Sequence, residues 1–540
     1  MSDSASPHFS GLPVSLDHTL PAVIAHVAAR YGQTAFIVAE NGETTSFAAF
    51  WQKVRTLSRA LIAHGIKSCD RVAIWAPNTP DWIVAASAIE TIGAVMVPIN
   101  TRFKGPEAAY VLNKTRARLL FTVGDFLGID YGAMLQETGG GAVESGPVRD
   151  LPALAQIIRM DGPELVDFQH QLAVETTLDR EIAAVTPQTI ADILFTSGTT
   201  GQPKGAMHNH GQALWVPAIW NEANDLRVGD RMLVVNPFFH SFGYRSGWVS
   251  GLIAGITVYP LKIFDAEAVL SLVERERITV LMGPPTIFFS LMEHPRFDQF
   301  DLSSLRVGHT GASNVPVDLI HAGRDIFGFD LFLTSFGQTE STALVTVNTP
   351  GSDFETIATT VGRPLPGVEL KIVDEDGKAV PQGESGELLV RGPNVMQGYF
   401  EEPAQTAATI DGDGWLHTGD VGCIGANGTL RILDRLKDVV MVGGFNAYPA
   451  EIENVLRQHP AISDVAVIAW PEERLGEVCA ACVIPRPGAT LTHSELTGWC
   501  RERMANYKVP RHLFLVDEFP RTPLGKVQKF LLRDQVRAAA

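Results

Sequence analysis

Thr196 to Gly205 reads TSGTTGQPKG, directly after the apolar run Ile193 to Phe195. A strand that feeds a glycine- and hydroxyl-rich loop ending in lysine is suited to holding polyphosphate. Glycines let the backbone come close, N–H groups and the hydroxyls of Thr196, Ser197, Thr199 and Thr200 donate, and Lys204 offsets charge. A nucleoside triphosphate is therefore the first ligand expected. The loop is not a P-loop, because the four-residue gap between glycines is missing and Gly205 stands where a P-loop carries its magnesium-binding hydroxyl.

Outward from this loop, apolar strands alternate with helical runs. Upstream lie Val72 to Trp75, a turn at Asn78–Thr79–Pro80, a helix to Ile92, then strands at Ala94 to Pro98 and Leu119 to Val123. Downstream come Met232 to Val235, Gly255 to Tyr259, a helix from Ala266 to Arg277, Val280 to Gly283, Leu305 to His309 and Leu331 to Leu333. This alternation predicts parallel sheets with crossover helices. Short β-rich units follow, with turns at Asp374–Gly377 and Ala426–Gly428. At Asp434 to Asp438, DRLKD, charges cluster between two apolar strands, and the chain beyond is long enough for a small separate domain.

With 540 residues, the chain exceeds the size at which a single core stops growing, and an apolar fraction of 45% supports large buried cores. A net charge of −17 argues against a nucleic-acid or anionic-membrane binder, so any phosphate site must be locally basic. The five cysteines are odd in number and irregularly spaced, which suits a reducing, cytoplasmic setting. Cys479 and Cys482 lie inside an apolar run and are expected as two buried thiols on opposite faces of a strand. The N-terminal MSDSASPHFS lacks the marks of a secretory signal, and no stretch is long and apolar enough for a transmembrane segment.

Four further clusters accompany the loop: SFGQTE at Ser335 to Glu340, WLHTGD at Trp415 to Asp420, the charged junction at Arg435, and RTPLGKVQK at Arg521 to Lys529. Together with GGFNAYPAEIE at Gly443 to Glu453, their order resembles the adenylate-forming superfamily of acyl-CoA synthetases, firefly luciferases and nonribosomal peptide adenylation domains, from Pro21 to Leu532. The resemblance implies an α/β fold: a large N-terminal domain of parallel-sheet αβ subdomains plus a β-rich subdomain (1–434), a hinge (435–438) and a small mobile α+β C-terminal domain (439–540).

It also implies two half-reactions. A carboxylate attacks the α-phosphate of ATP to give acyl-AMP and pyrophosphate, then the thiol of coenzyme A takes the acyl group and expels AMP. The ATP site would comprise Thr196, Ser197, Gly198, Thr199, Thr200, Gly201, Lys204, Gly311, Ala312, Ser313, Ser335, Phe336, Gly337, Thr339, Asp420, Arg435 and Lys526. Mg²⁺ would be held through Thr199 and Glu340, and Lys526 would stabilise charge between the carboxylate and the α-phosphate. Lys437 matches the hinge residue, and Gly443, Gly444 and Phe445 would line a CoA tunnel. Phe336 stands where the family commonly has tyrosine, so the ring keeps its stacking face while a hydroxyl contact is lost.

For the acid, the family places His240 beside the acyl group. Gly247, Trp248, Gly283 and Pro284 are the other pocket candidates, and Arg245 is expected either to meet a polar group of the acid or to be solvated. The stretch HSFGYRSG looks like ligases for acids of steroid-ring degradation, which points to a hydrophobic medium- or long-chain or cyclic acid. An adenylation protein that loads a carrier protein, luciferase-like oxidation, a non-catalytic nucleotide binder and a homodimeric state stay open from sequence.

Overall fold

The computed structural model describes residues 14–138, 151–196, 203–312, 315–442, 445–472, 475–522 and 525–539. Two α/β sheets carry the N-terminal part. The first has six strands in the order Lys204–Asn209, Ile190–Thr196, Val95–Pro98, Arg71–Trp75, Leu119–Thr122, Gln156–Arg159. Only its first pair is antiparallel. The second has nine strands, of which Leu331–Phe336, Val307–Thr310, Val280–Gly283, Arg231–Val234, Thr257–Pro260 and Ala35–Val38 form a continuous parallel block. Helices cover both faces of parallel sheets, so such strands are largely apolar, which is why most of these were readable from sequence, Ala35–Val38 and Gln156–Arg159 excepted.

Local chemistry sets the element ends. Helix Pro80–Thr91 begins where the Thr79 hydroxyl accepts from Trp82 N–H at 3.1 Å, with proline in the first turn. Every residue from Trp82 to Thr91 is buried, because the helix is packed on all sides. Strand Thr257–Pro260 starts two residues later than the apolar run, since Gly255 ends helix Ser250–Ala254 at φ 70°. Helix Ala266–Glu276 likewise stops at the left-handed Arg277 (φ 51°).

An antiparallel sheet of Glu369–Val373, Gly386–Arg391, Leu416–Ile424 and Leu430–Arg435 follows. The C-terminal region builds a separate sheet around the hairpin Ile462–Glu472 and Gly476–Pro485. One face of that hairpin packs on helices Pro449–Leu456 and His493–Arg501, the other on helix Lys529–Ala539. Cys479 lies in the first layer and Cys482 in the second, both free, with burial pushing each thiol up to about 12. They are two inert core thiols, as their spacing on a strand predicted. Among the described residues no helix is long and apolar enough to cross a membrane.

Candidate active site

Ligand crevices in α/β sheets form beyond the carboxyl ends of the parallel strands. Gly283 pairs in register with Thr310, and Thr310 with Thr334. This register brings Gly283–Pro284, Gly311–Ala312 and Ser335–Phe336–Gly337 to one edge of the sheet, with His240 following the adjacent strand Arg231–Val234. Gly337 has to be glycine, because a Cβ there collides with the Ala343 carbonyl oxygen. Ala312 adopts φ 64° beside Gly311. Ser335 is held from beneath: Asn224 Nδ2 donates to the Trp220 carbonyl (2.7 Å), so its Oδ1 accepts from His309 Nδ1 (2.8 Å). His309 Nε2 then accepts from the Ser335 hydroxyl at 2.8 Å, and burial pushes this imidazole down to about 3.

Strand Ile190–Thr196 enters the phosphate loop and Lys204–Asn209 leaves it, with Thr196 opposite Lys204. The sequence reading missed that second strand. Ser197, Gly198, Thr199, Thr200 and Gly201 lie outside the described residues, as do Ser313, Gly443 and Gly444. The flanking residues converge on Glu340, whose Oε1 accepts from Tyr399 Oη at 2.8 Å and from Thr196 Oγ1 at 3.4 Å. Lys204 Nζ donates to Gln405 Oε1 at 2.7 Å and sits 5.2 Å over the Tyr399 ring. Tyr399 is brought here by backbone pairing, through an Ala206–Tyr399 bridge and a 2.8 Å bond from Phe400 N–H to the Gly205 carbonyl. Tyr399 and Gln405 went unnoticed in the sequence because nothing local marks them.

Among the described residues no group of three or more His, Cys, Asp or Glu stands together as a metal cage. Glu340 Oε2 has no partner among them, so one hard carboxylate oxygen is available. That donor set fits a Mg²⁺ ion that arrives with phosphate, which needs only one or two protein carboxylates.

Asp420 and Arg435 face each other in register across an antiparallel pair. Asp420 is 3% exposed, and its Oδ1 binds Arg435 Nε at 2.6 Å, while Oδ2 is buried with no partner among the described residues. Burial pushes this carboxyl up to about 6, with Arg435 and Lys526 opposing. An orphaned buried acceptor costs free energy until a donor arrives, so Oδ2 is open to a hydrogen-bond donor. Lys526 stands within the field of the same pair: its position in the cleft and Arg435 push it down to about 8, against Asp420 and Asp438, although its side chain stays solvent-accessible. Its turn is closed by Thr522 N–H to the Lys526 carbonyl at 2.8 Å. A Cβ on Gly525 would stand 3.0 Å from Thr286 Oγ1, so the lysine turn abuts the Gly283–Thr286 turn.

Lys437 is exposed in the single turn Leu436–Asp438, between the antiparallel sheet and the C-terminal sheet. Phe445 is 62% exposed and stacks on Tyr507 with ring centres 5.2 Å apart. Tyr507 packs with one face of the C-terminal hairpin, whereas Val527, next to Lys526, packs with the other. Phe445 and the segment that carries Lys526 therefore pack on different layers of the small domain.

Around the acid-pocket candidates, His240 caps the short helix Ser241–Gly243, its Nδ1 accepting from Phe242 N–H at 3.1 Å. Burial pushes the ring down to about 4, so it is neutral and offers Nε2–H as a donor. Gly247 breaks the π-helical stretch Tyr244–Val249, where a Cβ would press on Val234 and Met282. Trp248 is fully buried in an aromatic cluster with Tyr244 and Trp82. Arg245 is not solvated, one of the two sequence expectations: it is 0% exposed and bound to Asp192 at 2.6 Å. A charge so deep requires a partner, and Asp192 supplies it from another subdomain.

Residues 24–400 match the family of AMP-binding enzymes and residues 451–526 match the AMP-binding enzyme C-terminal domain. The chain belongs to this family of adenylate-forming enzymes. Within it the chain is an acyl-CoA ligase, which joins a carboxylic acid to coenzyme A at the expense of ATP by way of an acyl-adenylate. It is 42% identical over 527 residues (96% of this chain, 98% of the relative) to the 3-[(3aS,4S,7aS)-7a-methyl-1,5-dioxo-octahydro-1H-inden-4-yl]propanoyl:CoA ligase of Rhodococcus jostii. The ligase of that name from Mycobacterium tuberculosis is 43% identical over 521 residues (96% and 98%). Among solved structures, an anthranilate CoA ligase, AuaEII, in complex with anthranoyl-AMP superimposes with a TM-score of 0.87 at 28% identity, covering 98% of this chain and 99% of that one. ATP-bound MatB from Rhodopseudomonas palustris does so with a TM-score of 0.83 at 26% identity, covering 97% and 100%.

Proposed function

We propose that this ligase activates a hydrophobic acid whose carboxylate is carried on a fused-ring, oxo-bearing skeleton, as the names of the two relatives above describe for their substrates. The neutral Nε2–H of His240 faces the carboxylate, next to the Gly283–Pro284 turn and the aromatic wall ending in Trp248. ATP lies across the strand ends, its adenine between Phe336 and Gly311–Ala312–Ser313, its ribose on Asp420 and Arg435, and its phosphates in the loop from Thr196 to Lys204. Mg²⁺, held by Glu340 and Thr199, supplies charge neutralisation on phosphate oxygens when bound. The observation that carries this reading is the convergence of Lys526 and the orphaned Asp420 Oδ2 beside the strand ends.

Lys526 offers a cation where carboxylate and α-phosphate, two anions, must meet. Residues 1–434 form the adenylation domain, 435–438 the hinge and 439–540 the mobile domain. A turn about Lys437 withdraws the Lys526 face and presents the Phe445 face, with Gly443 and Gly444, so that CoA reaches the adenylate. Five free cysteines and buried, unpaired thiols support a cytoplasmic setting.

Acid-dependent pyrophosphate release over a panel separates the substrate classes. A bicyclic oxo-propanoic acid is expected to show kcat/KM at least roughly tenfold above a straight-chain acid of equal carbon number and above ferulate, a difference of about 1.4 kcal/mol in transition-state binding. Preference for the straight-chain acid overturns the ring assignment and leaves the ligase reaction standing.

A further inference from the structure

Asp192, His208 and Arg245 are completely buried, and no step above uses them. Asp192 and His208 are cross-strand partners on the two strands that flank the phosphate loop. The Asp192 carboxylate is shared: Oδ1 accepts from His208 Nδ1 at 2.8 Å and Oδ2 from Arg245 Nη2 at 2.6 Å. His208 Nε2 then donates to the carbonyl of Thr339 at 2.8 Å, the residue before Glu340. Both ring nitrogens of His208 face oxygens that only accept, so the ring is fixed from both sides.

The Arg245 guanidinium lies 4.5 Å over the Tyr244 ring, and Tyr244 Oη donates to Glu90 Oε1 at 2.6 Å. One polar chain thus joins helix Pro80–Thr91, the π-helical stretch Tyr244–Val249, both loop-flanking strands and the turn that presents Glu340. Buried ions are poor stabilisers compared with apolar packing, so such a chain is better explained by what it fixes in place.

We propose that Arg245, Asp192 and His208 are positioning residues for the ATP half-reaction: they hold the strands around the phosphate loop together and, through Thr339, set Glu340 against Thr196 and Lys204. This rests on the reading that the loop and Glu340 serve ATP.

The test compares wild type, His208→Gln, and the pair Asp192→Asn with His208→Gln. In the pair every hydrogen bond can be remade: the introduced asparagine accepts from Arg245 and donates to the introduced glutamine, whose amide donates to Thr339, while the buried guanidinium exchanges the Asp192 carboxylate for that of Glu90, whose ionisation Asp192 opposes in the wild type. For His208→Gln the KM for ATP is expected to rise, or kcat for acid-dependent pyrophosphate release to fall, by about tenfold or more, with the acid KM within about twofold. The paired variant recovers most of the loss. Unchanged kinetics in His208→Gln, or equal increases in both KM values with a lower melting temperature and no recovery in the pair, overturns the proposal.

If His208→Gln does not fold, the pair decides alone: near-normal ATP parameters support the proposal, while a persisting loss or insolubility overturns it. Glu340→Gln run in parallel separates the two readings. Normal ATP parameters there remove the role of Glu340 itself; a defect there with normal His208→Gln removes only the positioning chain.

Discussion

Lys526→Ala is expected to lower acid-dependent pyrophosphate release by at least roughly 100- to 1000-fold, the scale of removing one preorganised charge-stabilising donor. Thioester formation from supplied acyl-adenylate and CoA should fall by no more than a few-fold. The reason is positional. Lys526 lies in the field of Asp420 and Arg435, where the proposed function brings the two anions of the first half-reaction together, and its neighbour Val527 packs on the layer of the small domain opposite that of Tyr507, on which Phe445 stacks. Equal loss of both half-reactions would contradict this division of labour.

The same groups fix a pH profile. Lys526 must be cationic and is pushed down to about 8, so kcat/KM of the free enzyme for adenylation falls as pH rises through about 8. On the proposed function Asp420 is ionised to accept from ribose, and it is pushed up to about 6, so the rate is expected to fall also as pH drops through about 6. A bell with these limbs is expected for adenylation, and no limb near 8 for thioester formation from supplied adenylate.

Asp420→Ala is expected to reduce kcat/KM for ATP by roughly 10- to 150-fold, since a hydrogen bond to a charged group contributes about 1.5–3 kcal/mol. Its orphaned Oδ2 awaits a donor and its Oδ1 holds Arg435, so the substitution removes a ribose contact and also frees the guanidinium. The diagnostic is nucleotide choice. Wild type should prefer ATP over 2′,3′-dideoxy-ATP by a factor that largely disappears in the variant, because the hydroxyls then have nothing to meet. A variant that keeps the full preference places the ribose elsewhere.

Much of this was legible in the residues. Parallel strands buried on both faces read as apolar runs, and the motifs SFGQTE and WLHTGD lie at strand ends and turns, while TSGTTGQPKG begins where strand Ile190–Thr196 ends. What escaped notice depends on contacts between distant segments. Lys204 meets Gln405 across a separation of 201 residues, and Glu340 meets Tyr399 across 59, with no periodicity to announce either. Strand Lys204–Asn209 was missed because KGAMHN is half polar; its histidine is buried only because Asp192 waits opposite. For Arg245 the ion pair was hidden for a similar reason: its carboxylate, Asp192, lies 53 residues away on a strand.

The central claim, that the chain joins an acid to CoA through an acyl-adenylate formed at this cleft, is tested most directly by order of addition. Enzyme, MgATP and a bicyclic oxo-propanoic acid are incubated without CoA, and the products are followed by mass spectrometry before and after CoA is supplied. Acyl-AMP and pyrophosphate should form in equal amounts without CoA. Addition of CoA should then convert the adenylate to acyl-CoA with release of AMP. Release of ADP, or no acid-dependent pyrophosphate with any acid of the panel, would contradict the claim.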